Sequence, residues 1–84
     1  MGRSRRPRPK LLSTKLRQIR DHLGISQAEM VKRLGNRSIH PAHISAYERG
    51  EREPPLPVLL KYAQLVGIST DFIIDDKVKL PKMT

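Results

Sequence analysis

The chain has 84 residues, no cysteine, and a formal net charge of +9 from 17 lysines and arginines against eight aspartates and glutamates. This length suits one small domain, which buries too little surface to enclose a large active-site cavity. The absence of cysteine excludes disulfides and thiolate zinc sites, and the apolar runs are too short for a membrane span or a signal peptide.

The positive charge is concentrated at the start of the chain. Residues 1–10 carry five positive charges and no negative one, and they include the sequence GRSRRPRPK, which alternates arginine with proline. We expect residues 1–11 to form an extended, disordered arm. Its arginines suit a narrow A·T-rich minor groove, whereas a solubilising tail is the alternative. The arginines concerned are Arg5, Arg6 and Arg8.

A first helix is predicted from the spacing of apolar side chains after the arm. These side chains recur four, three and four positions apart, at Leu12, Leu16, Ile19 and Leu23. This spacing places them on one face of a helix. The helix is predicted to begin near Ser13 or Thr14 and to end at Gly24.

A second helix is predicted to begin after Ser26. Glu29 follows three residues later, so the Ser26 hydroxyl can accept from the Glu29 amide while the Glu29 carboxylate reaches back to the Ser26 amide. Helical spacing continues through Met30 and Leu34, and Gly35 can leave the helix with a positive φ. This helix is only about two turns long.

A third short helix is predicted over residues 41–49. Pro41 cannot continue the preceding helix but suits the first turn of a new one, with His40 or Ser38 near its cap. Ile44 and Tyr47 lie three apart and form its inward face. Gly50 ends it. Two short helices joined by a turn indicate a helix-turn-helix, which is typical of DNA-binding proteins.

Two further helices complete an all-α prediction. After the breaker formed by two prolines at residues 54 and 55, a fourth helix is predicted to end at Gly67. Its inward face is predicted to consist of Leu56, Leu59, Leu60, Ala63 and Val66. Ser69 is predicted to cap a final turn that carries Phe72, Ile73 and Ile74. The five-helix domain is therefore expected to span residues 12–75, followed by a tail over residues 76–84.

The segment from Lys15 to Ile74 resembles the phage repressor and Cro family of DNA-binding domains, also called the XRE-type helix-turn-helix family. The matching sequences are LRQIRDHLGISQAEMVKRLG, ISAYERGEREPP and LLKYAQLVGISTDFII, in that order. The stretch between Gly35 and Ile44 is a few residues longer than in most members. The resemblance implies a compact five-helix bundle of the lambda-repressor type, with the third helix as the recognition helix.

The resemblance also implies roles for individual residues. Gln27 matches a glutamine that family members place on a phosphate, and Arg20 and Glu48 match a pair that links the first helix to the end of the third. Residues at the start and outward face of the third helix would meet the major groove: His40, Pro41, Ala42, His43, Ser45 and Ala46. Residues beside that helix would contact phosphates or further bases, unless they are simply solvated: Arg37, Ser38, Arg49 and Arg52.

These features predict a sequence-specific transcriptional regulator, a repressor, that binds a palindromic operator in double-stranded DNA as a homodimer. The apolar C-terminal residues are the expected dimer surface, with ordinary core packing as the alternative: Phe72, Ile73, Ile74, Val78 and Leu80. An antitoxin that binds a partner toxin and represses its own operon is the alternative function; RNA binding is a weaker third.

No catalytic constellation or phosphate-binding loop is present in the sequence, so we expect no enzyme activity and no cofactor. His40 and His43 lie at helical spacing, but a stable metal site needs three or four ligands, so we expect no metal. Since the sequence shows no membrane span or signal-peptide core, we expect a cytoplasmic, nucleoid-associated location.

Overall fold

A computed structural model describes residues 9–84, and they form five α-helices joined by short turns. The helices are α1 Leu12–Leu23, α2 Gln27–Leu34, α3 Pro41–Glu48, α4 Leu56–Val66 and α5 Asp71–Ile74, and no strand occurs among the described residues. The predicted all-α class and number of helices are confirmed. Arg5, Arg6 and Arg8 lie outside the described residues. No helix from residue 9 onward is long and apolar enough to cross a membrane.

One apolar core unites the five helices. The predicted inward residues of α1, α2 and α3 are buried or packed against this core. Side chains from every helix are completely buried, among them Leu16, Met30, Ile44, Leu59 and Ile73. Burial of apolar area of this kind supplies the scaffold that helices of eight residues need, because such short helices are marginal alone.

The local helix signals hold at most of the predicted boundaries. Ser26 is the N-cap of α2, and its hydroxyl accepts from the Glu29 amide at 3.0 Å. The Glu29 carboxylate does not complete the predicted capping box, because it accepts from Arg33 Nε one turn later at 3.2 Å. Gly35 ends α2 with a φ of 66°, the left-handed conformation that glycine adopts without steric cost.

The predicted inward face of α4 is wrong at two positions. Leu56 and Leu60 are 69% and 50% exposed, whereas Val58 and Tyr62 are buried in their place. The run of apolar residues in α4 contains two overlapping stripes with helical spacing, and the sequence does not distinguish between them. Packing of α4 against α1 and α2 selects the stripe that begins at Val58.

The turn between α2 and α3 is anchored at both ends. The Asn36 side-chain carbonyl accepts from the Ser38 amide at 2.8 Å, which forms a local Asx turn, and the Ile39 amide donates to the Asn36 carbonyl. Ile39 itself is buried in the core. The extra length of this turn therefore forms a compact structure that holds the start of α3.

Two long-range contacts join the C-terminal segment to α1. The buried ammonium of Lys15 donates to the backbone carbonyls of Phe72, Asp75 and Val78 at 2.7 to 2.8 Å. The Asp76 carboxylate accepts from the backbone amides of residues 10 and 11, at 2.7 and 3.0 Å. Asp76 thus caps α1 from the far end of the chain, and α1 begins at Leu12 rather than at the predicted Ser13 or Thr14.

The C-terminal residues proposed as a dimer surface are mostly part of the fold. Ile73 is completely buried, Phe72 is half-buried, and Ile74 and Leu80 pack against the core. Val78 alone among them is exposed. Residues 76–84 lie against the helical body, where the Thr84 amide donates to the Val66 carbonyl at 3.2 Å.

Candidate nucleic-acid interface

The α3 helix turns one face into the core and the other away from it. Ile44 and Tyr47 are buried against α1 and α2, as their spacing predicts. On the opposite face Pro41 and Ala42 are exposed, and three small or polar side chains are half-buried. These three are His43, Ser45 and Ala46. The outward face therefore carries mostly small or polar side chains, so another molecule can approach the helix closely.

A buried ion pair braces the helix-turn-helix. Arg20 on α1 donates from Nε and Nη2 to the two oxygens of Glu48 on α3, at 2.6 and 2.9 Å, and their side chains are only 12% and 4% exposed. The third guanidinium nitrogen of Arg20, Nη1, donates to the Ile25 carbonyl at 2.9 Å. The hydrogen bond and charge of Glu48 raise the pKa of Arg20. This bidentate pair fixes the end of α3 against α1 and the start of α2.

Gln27 joins the same network. It is the first residue of α2, it is half-buried, and its Nε2 donates to Glu48 Oε1 at 3.3 Å. A phosphate would therefore meet its second amide hydrogen or the backbone N–H groups of the first turn of α2. The phosphate role that the resemblance implies stays a prediction.

His40 and His43 occupy the start of α3. His40 is the N-cap, and its backbone amide donates to His43 Nδ1 at 2.9 Å. The two rings stack with their centroids 5.5 Å apart. Within residues 9–84, no group of three histidines or carboxylates is placed to hold a metal ion. The polar contact that the structure shows for the His43 ring is the hydrogen bond that it accepts from the His40 amide.

Arg49 and Ser45 are engaged with each other on the exposed side of α3. Arg49 donates from Nη1 to the Ser45 hydroxyl, and it holds the Glu51 carboxylate through Nε and Nη2 at 3.0 and 2.8 Å. The Arg49 hydrogen bond and charge lower the pKa of Glu51. A phosphate contact by Arg49 has to compete with this carboxylate.

The remaining predicted residues flank α3 on the surface. Arg37, Ser38 and Arg52 are all exposed. Arg37 lines a groove of about 380 Å³ between the α2–α3 turn and the start of α4, and Lys61 of α4 lines the same groove. The sequence reasoning missed Lys61, because only the fold brings residues 37 and 61 together. Two cations beside one groove would suit a phosphate.

The chain matches a helix-turn-helix family and a transcriptional regulator over most of its length. The family model described as Helix-turn-helix (HTH_3) matches residues 16–73. The HTH-type transcriptional regulator ImmR of Bacillus subtilis (strain 168) is 33% identical over 63 residues, which are 75% of this chain and 47% of that protein. This chain therefore spans about half the length of that relative.

Two solved structures resemble the fold. The crystal structure of the P22 c2 repressor in complex with synthetic operator 9T resembles this fold with a TM-score of 0.68 and 30% sequence identity. The match covers 80% of this chain and 97% of the repressor chain. The hypothetical transcription factor NHTF from Neisseria shares the fold with a TM-score of 0.64 at 22% identity, over 88% of this chain and 86% of its own.

The segment that matches the family contains all five helices except the first four residues of α1 and the last residue of α5. The same segment includes the Arg20–Glu48 pair and the outward face of α3. The match to the P22 c2 repressor extends over four fifths of the chain at 30% identity. This protein thus belongs to the phage repressor and Cro family of XRE-type helix-turn-helix proteins, a family of DNA-binding regulators rather than enzymes.

Proposed function

We propose that this protein is a sequence-specific, DNA-binding transcriptional regulator, a repressor, that inserts α3 into the major groove of a palindromic operator. The observation that carries the proposal is the outward face of α3. It is held by the buried Arg20–Glu48 pair, and bulky apolar side chains are absent from it. The relation to the P22 c2 repressor, which was crystallised with an operator, supports the same function.

The positive charge supports the proposal independently. A net charge of +9 favours a polyanion, because each neutralised phosphate releases condensed counterions. We assign base contacts to the start and outward face of α3, and phosphate contacts to the exposed cations around it. In this proposal the phosphate contacts are made by Arg37, Arg49, Arg52 and the start of α2 at Gln27. The arm arginines Arg5, Arg6 and Arg8 are assigned to the minor groove.

A matched pair of charge substitutions tests the proposal. Ala42→Glu places a carboxylate on the exposed face of α3, in a first helical turn where an acidic residue also favours the helix. We expect roughly a tenfold or greater loss of affinity for duplexes selected from a random pool, because like charges would face each other. Fluorescence anisotropy at fixed salt measures this affinity.

The control is Gln18→Glu, which makes the same charge change on the exposed side of α1 beside the C-terminal segment. This variant is expected to bind as the unchanged protein does. Equal affinities of the unchanged protein and Ala42→Glu for the selected duplexes would show that α3 does not contact DNA. A pool that yields no bound duplex at low salt would refute DNA binding altogether.

We further propose that the protein binds as a homodimer, one copy for each half of the operator. In this geometry the two recognition helices lie about 34 Å apart, which is one turn of DNA. Sedimentation with duplexes that carry one or two half-sites measures the stoichiometry. Two copies on the full site and a steep concentration dependence support the dimer, whereas one copy on the full site contradicts it.

Binding of a partner protein, as in an antitoxin, is a second candidate function. The observation that favours it is the exposure of Leu56 and Leu60 on α4, which the DNA-binding role does not use. Co-expression with the protein encoded beside this one is the test. A complex that Leu60→Ser disrupts, with DNA affinity unchanged, would support the partner role; the absence of a complex would contradict it.

A further inference from the structure

The N-terminus of α3 is capped in an unusual way. The N-cap position holds His40 instead of a hydroxyl or carboxylate residue, and Pro41 follows without an amide hydrogen. The backbone amide of His40 is satisfied by Nδ1 of His43, three residues later, at 2.9 Å. In the usual capping box a glutamate or glutamine side chain at this position does the same.

This contact favours one tautomer of the His43 ring. A backbone N–H can only donate, so Nδ1 of His43 acts as the acceptor. The tautomer that fits this contact carries its proton on Nε2. Stacking against the His40 ring, with an interplanar angle of 28°, holds the imidazole in the same orientation. The contact that orients one ring nitrogen thus determines what the other can do.

The remaining nitrogen lies at the exposed end of the helix. Nε2 is the ring nitrogen farther from the backbone, His43 is half-buried, and its neighbours Pro41 and Ala42 are exposed. A donor on Nε2 of His43 would thus lie in the first turn of α3, the part of a recognition helix that meets base edges.

We propose that His43 is a specificity-determining residue that reads a purine through Nε2–H, and that its bond to the His40 amide holds it in the donor form. The inference rests on the proposed function. Guanine and adenine both offer the N7 acceptor in the major groove, whereas cytosine offers an amino donor there. A donor that cannot change into an acceptor therefore distinguishes a purine from cytosine.

The tautomer is tested on the free protein, without DNA. Nitrogen-15 NMR of the imidazole groups in the full chain near neutral pH is expected to show an unprotonated Nδ1 and a protonated Nε2 for His43. A proton on Nδ1 would overturn the proposal whatever DNA the protein binds.

Two substitutions then separate the cap from the donor. His43→Gln supplies a carbonyl oxygen to cap the His40 amide and an amide nitrogen to donate, whereas His43→Glu supplies the cap alone. Both residues suit this helical position, and circular dichroism checks that each variant folds. In selections from a random duplex pool, His43→Gln is expected to retain a purine at the position read by the unchanged protein, because its amide nitrogen can donate to N7. His43→Glu is expected to lose that preference by roughly tenfold.

His22→Glu is the matched control, since it makes the same substitution at a histidine on the exposed side of α1. It is expected to select the same duplexes as the unchanged protein. If the unchanged protein and His43→Glu select identical half-sites, His43 does not read a base and the inference fails while the proposed function stands. If the unchanged protein selects no duplex, the proposed function itself fails.

Discussion

Two arginine–glutamate pairs lie near the end of α3, and they differ in how far their side chains are exposed to solvent. Arg20 and Glu48 are 12% and 4% exposed, whereas Arg49 and Glu51 are 55% and 60% exposed. Both pairs are bidentate, with N–O distances of 2.6 to 3.0 Å. The hydrogen-bond geometry alone therefore does not show which pair stabilises the fold and which arginine can leave its glutamate to bind a phosphate.

Burial decides the difference. A buried charge that loses its partner stays out of water and unpaired, which costs several kcal/mol, whereas an exposed charge is solvated immediately. Each of the three guanidinium nitrogens of Arg20 makes a hydrogen bond, because the third nitrogen reaches the Ile25 carbonyl. The inner pair therefore serves as a brace, and the outer arginine stays available for a phosphate.

The largest expected effect comes from breaking the inner pair. Glu48→Gln should lower the free energy of unfolding by about 3 to 5 kcal/mol, because Arg20 keeps its charge in a buried place. Urea denaturation followed by circular dichroism measures it. Glu51→Gln, the same substitution in the outer pair, is the control and should unfold at the same urea concentration as the unchanged protein. Equal losses in both variants would contradict the distinction.

A second buried charge extends the comparison. Lys15→Met removes the ammonium that three backbone carbonyls of the C-terminal segment share, and we expect a loss of about 2 kcal/mol because buried acceptors are left unsatisfied. The control is Lys32→Met on the exposed side of α2. Urea denaturation is again the measurement, and a loss no larger than that of the control would show that the hydrogen bonds of Lys15 contribute nothing to stability.

The outer pair should matter for DNA instead. Glu51→Gln removes the carboxylate that holds Arg49, so affinity for the selected duplex should rise about threefold to tenfold, a modest gain for one phosphate contact. The dependence of log affinity on log salt should steepen by about 0.9, the value for one additional phosphate contact. Anisotropy titrations across a salt series measure both quantities.

The Arg17–Asp21 pair on α1 offers a matched control, since its side chains are as exposed as those of Arg49 and Glu51. Asp21→Asn removes one negative charge, as Glu51→Gln does, but at a distance from α3. An increase in DNA affinity for Glu51→Gln, without one for Asp21→Asn, supports a local role for Arg49. The same gain in both variants would show that net charge is the cause.

The smallest expected effect concerns an exposed carboxylate and pH. Hydrogen bonds from the amides of Leu11 and Lys10 lower the pKa of Asp76. A carboxylate with a depressed folded-state pKa stabilises the fold above its unfolded pKa, near 4, and loses that contribution as pH falls through the folded pKa. The thermal midpoint of Asp76→Asn should therefore lie slightly below that of the unchanged protein at pH 7.

This difference should narrow as pH falls from about 4 through the lowered folded-state pKa, below which the Asp76 carboxylate is protonated in both states. Differential scanning calorimetry across a pH series measures it. A difference that is constant with pH would show that the ionised carboxylate is not what caps α1.

Local chemistry in the sequence determined where most helices start and stop. Ser26 caps α2 through its own hydroxyl, Gly35 ends it in the left-handed conformation, and Pro41 begins α3. Each of these signals acts within one turn of backbone, so it can be interpreted without a fold. The inward pair Ile44 and Tyr47 was predictable for the same reason, because a helix of eight residues leaves little choice of face.

Only tertiary packing decided the features that join distant parts of the chain. The sequence of α4 contains two apolar stripes with helical spacing. Packing against α1 and α2 buries one of them and leaves Leu56 and Leu60 exposed. Asp76 caps a helix 65 residues away, and Lys15 serves carbonyls at least 57 residues away. Composition and residue spacing do not predict these contacts, because the contacts depend on where each helix lies once the common core has formed.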